Sequence, residues 1–401
     1  MVGAGVHWED ANKGFQRMRM TVHVRRWGWA ICLSLASGAA LAQSVRPEWG
    51  SVPYADELGT GVTFRVWAPN ATNVAVRGDF NTWTEGGGRW SVDVPNATVG
   101  QQYRYFINGT TNKRDPRARR VTNSGTNGVS YIYDSEAFDW GGTSQPKPAR
   151  KDTVIYQMHV GTFAGSPTPR TFDHATNLLD HVASLGVNVI QVMPVSEFAG
   201  SQSWGYNPAD LFAIESSYGG PDAFKRFVRA CHERGMAVFV DVVHNHYGPS
   251  DLTMWRFDGW YQGTYGGIYF YNDTRANTPW GGTRPDYGRA EVRSFIRDHI
   301  MMLVNEYRIG GFRWDAPYYI INSDQGHNQT GEHMLRDINW ELSQNYSYVQ
   351  RIAEDNAFDY SMNFQGQWDV ASRWSLHDQV TTASDANRNM FTVRKQLRQW
   401  A

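Results

Sequence analysis

Acidic side chains recur in this sequence where apolar runs end. Asp241-Val242-Val243-His244-Asn245-His246 closes a run that begins at Met236. Arg313-Trp314-Asp315 closes one from Gly311, and Glu354-Asp355 closes one from Val349. Two carboxylates in unlike surroundings suit glycosidic bond cleavage: an ionised one attacks or stabilises the anomeric carbon, and a protonated one releases the leaving oxygen. Arg313 lies two residues before Asp315, and in a strand such residues share a face. A guanidinium alongside lowers a carboxyl pKa, so Asp315 reads as the nucleophile. Glu354 follows Val349, Ile352 and Ala353, an apolar approach that favours the neutral acid. One carboxylate at a strand end is as readily a helix cap; three in succession point to a site.

The elements around these residues set the expected architecture. Residues 46–140 read as short strands: Val62–Trp67, Val74–Val76, Trp90–Val94, and Tyr103–Ile107 before the turn Asn108-Gly109. This predicts a small all-β, immunoglobulin-like sandwich. Gly141–Lys151 reads as a linker. From 152 onward strands (Val154–Val160, Val187–Val195, Met236–Val243, Gly311–Ala316, Val349–Asp355) alternate with helices. Those helices are a single one over 173–185, one opened by Pro221 and one from Val292 to Tyr307. Strict alternation implies a parallel sheet with helices outside, first a (β/α)8-type TIM barrel and second a doubly wound open sheet. No glycine-rich phosphate loop follows the first strand, which disfavours the second. In a barrel the three acidic strand ends share the carboxyl face. Residues 247–288, rich in Trp, Tyr and Phe, form an insertion over that face, either walling a ligand site or packing on the barrel.

The chain has 38 basic and 39 acidic residues, a net charge of −1, which argues against nucleic-acid binding. Its 17 Trp, 20 Tyr and 19 Phe offer flat apolar faces with polar handles, complementary to sugar rings, although most such rings fill cores. Of the cysteines, Cys32 and Cys231, the first lies in a segment expected to be removed, so neither a disulfide nor a zinc cluster is expected. Arg25-Arg26, the apolar run Trp27–Ala40 and Ala40-Leu41-Ala42 together read as a signal peptide over 1–42. The expected location is periplasmic or secreted, with no membrane anchor after cleavage.

The strand-end motifs resemble those of the α-amylase superfamily, glycoside hydrolase family 13. Val154–Phe163 and Trp204-Gly205-Tyr206-Asn207-Pro208 are similar to the branch of glycogen branching enzymes and maltooligosyltrehalose trehalohydrolases. Gly78-Asp79-Phe80-Asn81-Thr82-Trp83 resembles the starch-binding-type module that precedes the barrel there. The resemblance implies a retaining enzyme of α-1,4-glucans (starch, glycogen, maltooligosaccharides) with Asp315 as nucleophile and Glu354 as acid/base. Arg313 would orient Asp315, His246 and Tyr206 would contact the sugar, Trp204 would join the binding set, and Asp241 would be structural. Asn245 matches a position that binds calcium in some amylases; no cofactor is predicted. The implied activity is branching, with an exported hydrolase as alternative and a non-catalytic glucan-binding protein as a third reading. The family's third carboxylate sits in a His-Asp pair. His377-Asp378 follows Glu354 too closely to hold the intervening elements, so Asp378 is expected on the surface or capping a helix. The barrel, at 152–401, is expected to be incomplete with about six units, as in a truncated product.

Overall fold

The structure, a computed structural model, describes residues 44–80, 89–163, 165–166, 168–354, 362–368, 377–378 and 381. The predicted signal peptide, Asn81–Trp83 and Asp355 lie outside these residues.

The all-β part holds β1 (Gly50–Asp56), β2 (Gly59–Trp67), β3 (Val74–Gly78), β4 (Arg89–Val94), β5 (Gln102–Ile107), β6 (Thr111–Lys113) and β7 (Ser130–Tyr131). Strands β1, β2 and β4 form one antiparallel sheet; β3, β5 and β6, with β7 beside β5, form another. Alternation drives the pairing. In β5, Tyr103, Tyr105 and Ile107 are buried while Gln102, Arg104 and Phe106 are half-buried. Phe64 of β2 meets Tyr103 of β5 edge-on at 4.9 Å, so the inner faces interlock as in a sandwich. Trp90 donates Nε1–H to Ala68 O, and Trp67 packs edge-on against Tyr269 of the insertion, which makes these two tryptophans core and inter-module contacts.

The second part runs β8 (Ile155–Met158), α1 (Val160–Phe163), α2 (Phe172–Thr176), α3 (Leu179–Ser184), β9 (Val189–Val192), β10 (Ser196–Phe198), β11 (Pro208–Ile214) and α4 (Gly220–Glu233). It continues with β12 (Ala237–Val242), α5 (Ala290–Tyr307), β13 (Gly311–Trp314), α6 (Tyr318–Ile321), β14 (Asn322–Ser323), β15 (Gly326–His327), α7 (Gln329–Asn345), β16 (Gln350–Ala353) and β17 (Gly366–Gln367). Six strands, in the order β8-β9-β12-β13-β16-β17, pair in parallel as a curled half-barrel. Strands β9, β12, β13 and β16 are buried at every position, as expected of strands covered on both faces. Helix α4 starts after Gly219 in a left-handed conformation, carries Pro221 in its first turn, and buries Phe224, Phe227, Val228 and Cys231.

One expectation differs from the structure, and two features were not foreseen. The single helix over 173–185 is two short helices, α2 and α3, broken around Asn177 and Leu178. Phe172 and Ala175 are buried from one and Leu179 and Val182 from the other. The hairpin β10–β11 was not legible, because all seven residues of β11 are buried and show no alternation. The stretch 141–151 is strapped down rather than free: Gln145 donates to Arg308 O, Arg308 to Thr143 O, and Gln350 to Pro148 O.

The two parts are joined by two charge pairs, one buried and one half-buried. Arg114, just after β6, holds Asp210 of β11 at 2.9 Å, and Arg119 holds Glu306 of α5 at 2.5 Å. The all-β part also grips the insertion. Asn70 donates to Asp258, Asn108 to Asp258 O, Lys113 to Trp255 O, and Arg114 to Asp251 O.

Candidate active site

Register places the chemistry. Asp241 pairs with Arg313 across β12 and β13, and Arg313 with Ile352 across β13 and β16. With a two-residue period, Asp241, Arg313, Asp315 and Glu354 therefore point to one face near the carboxyl ends of three adjacent strands. Asp315 and Glu354 continue the ladder just past the named strands: Asp315 N donates to Val242 O, and Glu354 N to Trp314 O.

One guanidinium organises the group. Arg313 Nη1 lies 2.8 Å from Asp241 Oδ1 and 2.9 Å from Asp315 Oδ1, and Nη2 lies 2.5 Å from Glu354 Oε1. Tyr206 donates its hydroxyl to Asp241 Oδ2 at 2.6 Å. Asn245 donates Nδ2–H to Asp315 Oδ2 at 3.1 Å, and Ala316 N donates to Glu354 Oε2 at 3.2 Å. The arginine and both aspartates are buried, whereas the Glu354 side chain is 31% exposed and opens the cluster to solvent.

The electrostatics depart from the sequence expectation. Three carboxylates share one cation, so the group carries an excess of negative charge if all ionise. Burial, then the Asp241 charge, pushes Asp315 up to about 7 against the pull of Arg313. Burial also lifts Asp241 to about 6, while Arg313 and Tyr206 oppose the rise. Arg313 alone was expected to lower Asp315; removal from water outweighs it. Glu354 likewise sits against a guanidinium and a backbone N–H, not in the apolar seat its preceding residues suggested. The cluster therefore retains a proton near neutrality, shared among interacting groups.

His246 is buried beside Asn245, its Nδ1 3.0 Å from Asn245 Oδ1, and burial lowers its pKa to about 4, so it is neutral. Its ring stacks on Trp280 at 4.6 Å, and Tyr319 meets Trp280 edge-on at 5.0 Å. Trp280 is 44% exposed, which makes an accessible aromatic step beside the carboxylates. Trp204 is largely exposed. His377 and Asp378 are exposed and helical, as a surface pair.

Two site residues escaped the sequence reading. Asn245 was noted only as a calcium position, yet its Oδ1 accepts the backbone N–H of His246 and lies 3.0 Å from that ring's Nδ1, and its Nδ2 donates to Asp315. The bond to Asp315 makes it a positioning residue for that carboxylate. Trp368, just past β17, lies with its ring centroid 5.4 Å from the Arg313 guanidinium. Its strand is two residues long and gave no periodic signal.

Comparison with known proteins places these features in context. Residues 171–275 match the model of the alpha amylase catalytic domain, and residues 48–121 match carbohydrate-binding module 48, the isoamylase N-terminal domain. The chain is 35% identical over 284 residues to a malto-oligosyltrehalose trehalohydrolase of Saccharolobus solfataricus, covering 69% of this chain and 47% of that protein. It is 31% identical over 356 residues to a 1,4-alpha-glucan branching enzyme of Picrophilus torridus, covering 80% and 49%. The chain thus spans about half the length of the curated relatives it matches. The structure of a putative alpha amylase from Salmonella typhimurium superposes with a TM-score of 0.71 at 28% identity, covering 88% of this chain and 59% of that one.

Proposed function

The chain belongs to the alpha-amylase superfamily, and from that premise we propose that it acts on α-1,4-glucans by a retaining mechanism, with branching as the leading activity. The observation that carries this reading is the single guanidinium of Arg313 touching Asp241, Asp315 and Glu354 at three adjacent strand ends.

Asp315 attacks the anomeric carbon and forms a glycosyl ester as the glycosidic C–O bond breaks. Glu354, open to solvent, delivers the proton to the leaving oxygen and then takes one from the acceptor. The two carboxyls are held by the two terminal nitrogens of one guanidinium, and the retaining outcome is the one the family resemblance implies. Positive charge developing on the sugar ring favours the ionised form of Asp315, which burial alone disfavours. Asp241 and Tyr206 hold Arg313 in place. Trp280 and His246 present a ring face for a glucose unit. A glucan hydroxyl as acceptor gives a branch; water gives hydrolysis.

The signal-like segment over 1–42 supports a periplasmic or secreted location and favours hydrolysis as the second reading, since glycogen is built inside cells. Incubation of the purified protein with amylose separates the two. Falling iodine absorbance without new reducing ends means branching, and new reducing ends mean hydrolysis. Binding to starch in affinity gels with neither change, the same in wild type and Asp315→Asn, sinks both in favour of a non-catalytic glucan binder.

A further inference from the structure

A cleft of about 490 Å3 opens where the all-β part meets the insertion, and it is lined by three cations that the carboxylate chemistry does not use: Arg104, Lys113 and Arg114. Arg114 is fully engaged, with Asp210, Gly125 O and Asp251 O. The other two lack an acidic partner among the described residues. Lys113 Nζ donates to Trp255 O at 2.8 Å. Arg104 Nη2 donates to Thr126 O at 3.1 Å, and its Nε is buried with no hydrogen-bond partner. Of the acids nearby, Asp210 is committed to Arg114 and Asp251 is exposed.

Such an arrangement is costly. Burial and the Arg114 charge lower Lys113 to about 8 and lower Arg104 as well. A carbonyl partner can be met by a neutral amide without that cost, so anchoring Trp255 O does not account for a lysine. An anion between Arg104 and Lys113 does: it satisfies the orphaned Nε–H and relieves the repulsion. The volume lies in the range of small-molecule sites. Thr126, Ser250 and Trp255 also line the cleft, polar and aromatic neighbours suited to a sugar, whereas the Ser124 and Thr283 hydroxyls are spent on Phe198 O and Tyr247 O.

We propose that this cleft binds a small sugar phosphate, with the phosphate between Arg104 and Lys113 and the sugar toward Trp255. The site is separate from the carboxylate cluster and does not depend on glucan turnover.

Isothermal titration of the full chain tests this, with glucose 1-phosphate, inorganic phosphate and maltose as probes. The sugar phosphate is expected to bind more tightly than phosphate, and added KCl should weaken it. Arg104→Gln and Lys113→Met should each weaken it by about tenfold or more, the loss of one charge-assisted hydrogen bond, while Lys113→Arg retains it. Circular dichroism melts establish that each variant is folded; Arg104→Gln, at a half-buried position, carries the test if Lys113→Met is not. Maltose binding as tightly as glucose 1-phosphate, phosphate alone accounting for all the affinity, or unchanged affinity in folded Arg104→Gln would each overturn the proposal.

Discussion

At the scale of single residues, the acid–base arrangement turns on how three carboxyls divide one cation. An Asp315 held near 7 must lose its proton before it can attack. The acid limb of kcat/KM, which reports the free enzyme, is therefore expected near pH 7, with activity falling about tenfold per pH unit below it. Asn245→Leu removes a donor to the ionised carboxylate and should move that limb to higher pH; an unmoved limb would mean that Asn245 does not tune Asp315. Asp315→Asn should lower kcat by about four orders of magnitude or more. Glu354→Gln should lose turnover of glucans yet recover much of it on a glucosyl donor whose leaving group needs no proton. Equal losses on both donors would reassign Glu354. The grouping of Asp241, Arg313, Asp315 and Glu354 on one face was legible, because a two-residue period and strand-end position need only local sequence. Their proton balance was not. It depends on burial and on Asp241, which lies 72 positions from Arg313 in the chain.

At the scale of elements, the turn before β11 and the β10–β11 hairpin carry the clearest expectations. Gly205 has φ +89°, and a Cβ there would lie 2.4 Å from Pro194 O. Gly205→Ala should cost about 1–3 kcal/mol in backbone strain, with the clash in addition. It should also reduce kcat/KM by displacing Tyr206, which a urea midpoint and initial rates would show together. In the hairpin, Glu197 and Glu215 are buried side by side, each accepting backbone N–H bonds from the other's neighbourhood. Burial and the Glu215 charge push Glu197 up to about 8. Its folded pKa exceeds its unfolded one, so the folded state holds the proton more tightly. That stability is fully present below the ordinary glutamate range and is lost as pH rises toward about 8. Urea midpoints measured at about pH 5 and pH 8 should fall less in Glu197→Gln than in wild type. Neither the hairpin nor the split between α2 and α3 showed in the sequence. Fully buried strands lose alternation, and two adjacent short helices mimic one longer period.

At the scale of the whole molecule, Arg114–Asp210 and Arg119–Glu306 tie the all-β part to the half-barrel. Calorimetry should show a single cooperative transition. Arg114→Leu leaves Asp210 buried without its partner and should destabilise by about 3–5 kcal/mol. Two separate transitions in wild type would contradict the joint. Sequence reading anticipated both architectures, since each is written in local periodicity. It did not anticipate the joint, because arginines from a turn and acids from a strand and a helix carry no local sign that they will meet. The grip of Asn70, Asn108, Lys113 and Arg114 on residues 251–258 reaches further still. The strand-end carboxylates are supplied by the barrel, but the insertion that sets Trp280 on His246 beside them, as a partial roof, is held by its neighbour. Grafting the sandwich of a distant homologue onto these strands should spoil catalysis while every reacting group stays in place, unless the roof is transplanted with it.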